Sequence, residues 1–93
     1  MKKYGLEDRH FKILKEIFRD KKPYIFGSRI RGSHKKFSDI DLCLKEDISI
    51  FELADLEDKL RESDLPFKVD VVRFSKSDDD FVESIEKDLR LLF

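Results

Sequence analysis

Two stretches decide the fold of this sequence: Gly27-Ser28-Arg29-Ile30-Arg31-Gly32 and, after a polar loop, Ser38-Asp39-Ile40-Asp41-Leu42. Gly27 and Ser28 directly follow the apolar run Tyr24-Ile25-Phe26, which predicts a short β-strand that leads into a helical turn. Glycine lets the backbone approach a phosphate closely, and the free N–H groups of a helical turn, with the Ser28 hydroxyl, can donate to its oxygens. A Gly-Ser pair by itself is more typical of an ordinary turn.

The overall charge indicates that any phosphate binding is local. The 93 residues carry 20 Lys and Arg against 21 Asp and Glu, a net charge of -1. Such a balance creates no global field toward nucleic acid or an anionic membrane, so we expect direct binding to neither. Within the motif, Arg29 and Arg31 can supply the positive charge that a triphosphate needs.

Three aspartates strengthen the case for phosphate chemistry. Asp39 and Asp41 are two residues apart in a predicted strand, so their side chains project to one face. Asp70 lies among β-branched residues in a later predicted strand, where aspartate is disfavoured, and a neighbouring strand could bring it beside the pair. Three close carboxylates repel one another unless a cation binds them, and hard oxygen ligands suit Mg²⁺. The alternative is a half-exposed strand that shows its acids to solvent.

The remaining pattern predicts helices and strands in alternation. Apolar residues recur at helical spacing over Leu6 to Lys21, behind the capping pattern Ser49-x-x-Glu52, and from Asp78 through Leu92. Asp39 to Leu44 and Phe67 to Phe74 alternate as strands. We therefore expect an α/β domain with a small mixed sheet flanked by helices, spanning residues 1–93 as one unit.

The other chemistry-bearing residues favour ordinary roles. One cysteine, Cys43, excludes an internal disulfide, and with His10 and His34 so far apart a Cys/His zinc site is not expected. We interpret Cys43 as buried filler and the histidines as surface or core-edge residues. With no long apolar segment and no leader pattern, a cytoplasmic location is expected.

The combined motif resembles the polymerase β-like nucleotidyltransferase superfamily. More narrowly, the motif is similar to that of the minimal nucleotidyltransferases (MNT proteins), with a Gly-Ser pair, then ten residues, then Asp-x-Asp and a later Asp in a strand. MNT proteins are often paired with an α-helical HEPN protein as antitoxin and toxin. The resemblance extends through Glu62 to Asp70 and the following helix, and so covers nearly the whole chain. Ile30 departs from the alanine often found there, which affects packing and no catalytic group.

The resemblance implies a role for each motif residue. Asp39 and Asp41 would bind two Mg²⁺ ions that bridge the triphosphate of ATP, and Asp70 would complete the second metal site and help to deprotonate the acceptor hydroxyl. Gly27 and Ser28 would hold the β and γ phosphates. At least one of the two motif arginines, Arg29 and Arg31, would face the nucleotide, but either could pair with a surface acid.

The implied function is transfer of AMP from ATP to a hydroxyl, most simply a tyrosine of a HEPN partner, by an antitoxin. Two alternatives stay open: a binding module that neutralises the partner without catalysis, and an adenylyltransferase acting on a small molecule such as an antibiotic. Leu91 and Phe93 fall off the predicted core face, so either a partner in a homo- or hetero-oligomer covers them or the terminus is frayed.

Overall fold

We describe the chain from a computed structural model, in which residues 4–32 and 39–93 are described, the side chain of Ser28 excepted. The helices are α1 (Asp8–Ile17), α2 (Ser28–Arg31), α3 (Ile50–Glu62) and α4 (Asp79–Glu86), with a 3-10 helix at Phe74–Lys76. The strands are β1 (Tyr24–Phe26), β2 (Ile40–Leu44), β3 (Val69–Arg73) and β4 (Arg90–Leu91). None of these helices is long and apolar enough to cross a membrane. The predictions about Ser38 and His34 lie outside the described residues.

The four strands form one mixed sheet in the order β3-β2-β1-β4. β1 is antiparallel to both β2 and β4, whereas β2 and β3 are parallel. A parallel pair needs a crossover connection, and α3 supplies it between β2 and β3. The predicted α/β class with a small mixed sheet flanked by helices is therefore confirmed.

Helices cover the two faces of the sheet unequally. The larger apolar cluster joins alternate residues of β2 to α1 and α3; its members include Leu14, Phe18, Ile25, Ile40, Leu42, Leu44, Leu56 and Leu60. The smaller cluster, on the other face, comprises Phe26, Cys43 and Ile85, with Phe81 and Leu89 packed against it. Because successive side chains of a strand point to opposite faces, Asp41 shares the face of this smaller cluster with Cys43.

Local capping signals fix the starts of α3 and α4. The Ser49 side chain accepts a hydrogen bond from the Glu52 N–H at 3.1 Å. The Asp78 carboxylate likewise accepts from the Phe81 N–H at 2.8 Å. Each bond satisfies an N–H group that the first helical turn leaves without an intrahelical partner. The predicted starts of both helices are confirmed.

The prediction of a final helix through Leu92 is wrong. α4 ends at Glu86, and the chain turns back so that β4 pairs with β1, which would otherwise be an edge of the sheet. Leu89 still packs against the smaller cluster, but Leu92 enters the larger one on the opposite face. Helical spacing does not reveal the end of α4, because the turn and the strand that follow it bury leucines at intervals that one continuous helix would also give. Leu91 and Phe93 are exposed, as expected.

Three predicted boundaries also move. α1 ends at Ile17 rather than near Lys21, and β2 begins at Ile40, so Asp39 precedes the strand. β3 spans Val69–Arg73, within the predicted range. The shift of β2 is of the size common at element ends, where hydrogen bonding frays. α1 ends earlier because the chain turns after it, with the Phe18 carbonyl accepting from the Lys21 N–H at 2.8 Å.

Candidate active site

Strand register places two of the predicted aspartates side by side. Asp41 of β2 is the register partner of Asp70 on β3 and of Phe26 on β1. Residues in register on adjacent strands point to the same face, and the strands lie about 4.8 Å apart. The structure therefore brings Asp41 and Asp70 together at one end of the face that carries the smaller cluster.

Gly27 lies against Asp41. The residue directly follows β1 and has φ +85°, in the left-handed region that favours glycine. A Cβ built on Gly27 would come within 2.7 Å of the Asp41 Oδ2 atom, closer than such contacts occur. The Gly27 carbonyl also accepts from the N–H groups of Ile30 and Arg31, which anchors α2 to this turn. A side chain at Gly27 would therefore displace the Asp41 carboxylate from this position.

The charges around Asp41 are those of a crowded acidic site. Burial raises the pKa of Asp41, and the negative charges of Asp70 and then Asp39 raise it further. Asp39 itself is exposed, just before β2. Asp41 therefore interacts electrostatically with both other predicted aspartates, and a cation placed beside it would relieve this repulsion.

The donor chemistry of this site fits a divalent cation of the Mg²⁺ type. All three groups are carboxylates, the oxygen ligands that Mg²⁺ prefers. The Asp70 side chain is 44% exposed, and its Oδ1 atom lies 3.5 Å from the Lys68 ammonium. Within residues 4–32 and 39–93, no three Asp, Glu, His or Cys side chains are grouped so as to hold an ion. A cation held by all three aspartates would therefore require their carboxylates to lie closer together than they do here.

The two arginines of the motif point in different directions. Arg29 is 3% exposed, and its Nη1 atom donates to the Tyr4 carbonyl at 2.9 Å. Arg31 is an exposed side chain whose Nη1 atom lies 3.6 Å from the Asp88 Oδ2 atom. Arg31 thus has the surface ion pair that the sequence allowed for one of the two, while Arg29 faces the protein interior.

Sequence reasoning missed two neighbours of the site. Lys68, which directly precedes β3, pairs with Asp70, and their spacing of two residues could have indicated this contact. Phe67 packs against Arg29 and His10, which no local pattern indicates because these residues are distant in sequence. His10 is buried at this contact, and its Nδ1 atom accepts a hydrogen bond from the Glu7 N–H. Of the two positions predicted for His10, surface or core edge, it therefore occupies the core edge.

Two concave regions lie near these elements, and the larger of the two is not the one that borders the aspartates of the motif. The larger, about 650 Å³, runs between α1 and α3 and is lined by residues such as Ile17, Glu52 and Asp55. It does not include the aspartates of the motif. The smaller, about 290 Å³, is bordered by Asp70 and lies beside the outer edge of β3. The chemistry of the carboxylates, rather than cavity volume, identifies the site.

Comparison with known proteins bears on the family of the chain. The family model described as "Polymerase beta, Nucleotidyltransferase" matches residues 12–93. The chain is 36% identical over 77 residues to "Probable protein adenylyltransferase MntA" of Haemophilus influenzae, covering 81% of this chain and 68% of the relative. It is 40% identical over 84 residues to MJ1217 of Methanocaldococcus jannaschii, which is provisionally named a protein adenylyltransferase, covering 87% and 85% of the two chains.

Two solved structures share the fold. One is described as "Crystal structure of the toxin-antitoxin with AMP-PNP"; it aligns with a TM-score of 0.66 at 22% identity and covers 89% of this chain and 72% of its own. The other, from Sulfolobus solfataricus and provisionally described as a nucleotidyltransferase, aligns with a TM-score of 0.50 at 24% identity over 98% and 87% of the two chains. At these identities the likeness concerns the fold.

Proposed function

The chain belongs to the polymerase beta nucleotidyltransferase family and is an MNT-type nucleotidyltransferase, and on that premise we propose that it transfers AMP from ATP to a hydroxyl of a partner protein. The observation that carries this proposal is the register pairing of Asp41 with Asp70 beside Gly27. It places paired carboxylates next to a turn at which Gly27 carries no side chain. Relatives named protein adenylyltransferases support a protein acceptor.

The metal assignment follows from the donor set. Asp39, Asp41 and Asp70 would hold Mg²⁺, which when bound supplies positive charge for the triphosphate and for the charge that develops during transfer. The two-ion arrangement and the use of ATP are part of the proposal. Burial, and then the negative charges of Asp70 and Asp39, raise the pKa of Asp41, and relief of this repulsion favours a cation at this position.

The proposed reaction is an in-line displacement at the α-phosphate. The acceptor oxygen forms a bond to that phosphorus, the bond from it to the bridging oxygen breaks, and pyrophosphate leaves. Asp70, half exposed on an outer strand, takes the proton of the acceptor hydroxyl. The backbone at Gly27 and Ser28 holds the β and γ phosphates, and Arg31 exchanges Asp88 for phosphate oxygens.

We propose further that the acceptor is a tyrosine of a HEPN-family toxin and that this chain is its antitoxin. Support comes from the sequence resemblance to MNT proteins and from the structural neighbour described as a toxin-antitoxin. Adding AMP introduces a bulky negative group on the toxin, which explains how transfer would silence it.

The test is transfer of label from α-phosphate-labelled ATP, with Mg²⁺, onto the HEPN protein. Asp41→Asn should lower transfer at least about 100-fold, since it removes a proposed metal ligand. Asp58→Asn is the matched control, because Asp58 is an exposed acid on α3 that forms an ion pair with Arg61. Asp41→Asn should melt no lower than the wild type, since the change also removes repulsion. Equal transfer by Asp41→Asn and the wild type would refute the metal role.

The alternatives are separate outcomes of this experiment. A stable complex without label, with Asp70→Asn protecting cells as well as the wild type does, would establish a neutralising binding module instead. Label on an aminoglycoside in the absence of any protein partner would establish a small-molecule acceptor.

A further inference from the structure

The groove between α1 and α3 lies on the side of the sheet opposite the candidate active site. Both helices pack on the larger apolar cluster, whereas Asp41 and its register partner Asp70 share the other face with the smaller cluster. The groove measures about 650 Å³, within the range of sites that bind other molecules. The proposed chemistry at the aspartates makes no use of it.

The floor of this groove is apolar. It consists of Ile13 and Ile17, half-buried and one turn apart on α1, and of Leu56 on α3, which is 5% exposed. The acidic side chains that line the groove are all more exposed than these three residues, so they form its rim. A molecule that enters between the helices would therefore cover aliphatic surface and meet charges on both sides.

The rim carries an excess of negative charge. The groove is lined by six acidic and three basic side chains. Lys21 pairs with Glu52 at 3.3 Å, and Lys59 pairs with Asp55 at 3.1 Å, so Arg19 is the remaining cation. Within residues 4–32 and 39–93, four exposed rim carboxylates make no ion pair: Glu16, Asp20, Glu62 and Asp64. Cations from another molecule could approach these carboxylates without displacing an existing partner.

An exposed aromatic ring extends the groove along α3. Phe51 is 84% exposed, more than any other large apolar side chain in the described part of the chain. It precedes the rim residue Asp55 by four positions, so the two lie on the same side of the helix. Burial of a phenylalanine ring is favourable, and this ring is left in solvent beside a groove. Phe51 is therefore placed to act as an apolar contact for whatever binds there.

We propose that this groove binds a cationic amphipathic helix of a partner protein. The charge of the rim selects the occupant, because it attracts lysine and arginine and repels nucleic acid and anionic lipid. Two helices that flank an apolar floor suit recognition of a third helix, whose apolar stripe covers the floor and Phe51. The inference goes beyond the proposed function, since such a partner is held on the face of the sheet that Asp41 does not share.

The first test measures binding of an amphipathic helical peptide of leucine and lysine to the full chain by calorimetry. We expect the peptide to bind at low salt and to bind more weakly as the ionic strength rises, because exposed charges are screened. A peptide of the same pattern with glutamate in place of lysine should not bind. No binding of the lysine peptide, or equal binding of the two peptides, would overturn the proposal.

Variants locate the binding surface on the chain. Glu16→Gln combined with Glu62→Gln removes one unpaired carboxylate from each helix and should weaken peptide binding at least about threefold. Glu83→Gln combined with Glu86→Gln removes the same charge from exposed positions of α4 and should leave the affinity unchanged. Phe51→Ala should weaken binding at least about fivefold with an unchanged melting temperature. Equal losses in the two double variants would show that the peptide follows overall charge and not the groove.

The HEPN protein of the proposed function separates the two proposals. The affinity of the complex should fall in the groove double variant and stay unchanged in Asp41→Asn. A complex that transfers no AMP, yet is weakened by the groove variant, would support the groove and refute the proposed function. Unchanged affinity in the groove variant would overturn partner binding at this surface. A dimer of the chain alone that the groove variant dissociates would assign the groove to a second copy instead.

Discussion

At the level of single residues, Gly27 and Gly32 both have a positive φ angle, but their surroundings differ. Their φ angles are +85° and +75°. A Cβ on Gly27 would meet the Asp41 Oδ2 atom at 2.7 Å, whereas a Cβ on Gly32 would have no neighbour within 4 Å among the described residues. Comparing the two positions therefore separates the cost of the left-handed conformation from the cost of displacing Asp41.

We expect Gly27→Ala and Gly32→Ala each to lower the free energy of unfolding by about 1 to 2 kcal/mol, because alanine resists positive φ. Gly27→Ala alone should also lower AMP transfer at least about tenfold, since the Asp41 carboxylate must move away from its position beside Asp70. Urea unfolding and a transfer assay measure the two effects. If both variants lose transfer equally, the contact with Asp41 is not what the glycine protects.

At the level of the elements, the start of α3 depends on one side chain. The Ser49 hydroxyl accepts from the Glu52 N–H, and α3 is the crossover that makes β2 and β3 parallel. Ser49→Ala should lower the free energy of unfolding by about 1 kcal/mol, measured by urea denaturation. Ser75→Ala is the control, because that hydroxyl meets Asp47 only at 3.5 Å. Equal losses in the two variants would show that the cap contributes nothing specific.

The elements that the sequence predicts well are those whose signals are local. The Ser49 cap and the apolar stripe that includes Leu56 and Leu60 specify α3 without reference to the rest of the chain. β4 was missed because its existence depends on pairing with β1, more than sixty residues earlier. One continuous helix and a turn followed by a strand would both bury leucines at the spacing of Leu89 and Leu92. Periodicity alone therefore could not distinguish the two structures.

The same distinction applies to the candidate site. The neighbourhood of Asp41 and Asp70 could be predicted, because each aspartate interrupts a strand pattern and the strands are joined by one helix. The inward orientation of Arg29 could not, because Tyr4 and Phe67 approach it from distant parts of the chain. Motif spacing indicates which residues take part and says little about which way a long side chain turns.

At the level of the whole molecule, Cys43 reports on the integrity of the sheet. It is fully buried on β2, and burial raises the pKa of its thiol from 9.0 to about 11, an effect that Lys45 partly opposes. Between these values the unfolded chain loses the thiol proton and the folded chain keeps it. The stability of the folded state therefore falls as the pH rises through this window.

We expect the wild type to lose up to about 2 kcal/mol more than Cys43→Ala as the pH is raised from about 9 to about 11. Urea denaturation at a series of pH values measures the difference, and the alanine variant corrects for the titration of lysines and tyrosines. Parallel curves for the two proteins would contradict the buried, neutral thiol.

Because helices cover the two faces of the sheet unequally, we expect slow local opening to differ between the two faces. The cluster beneath α4 is smaller than the one beneath α1 and α3, and β4 pairs with one strand over two residues. Amide hydrogen exchange follows the free energy of local opening, so amides of α4 and β4 should exchange well before those of β2 and α3. Asp41 and Asp70 are fixed by the β2 and β3 ladder. Their arrangement should therefore persist through openings that release the carboxyl-terminal layer beside them.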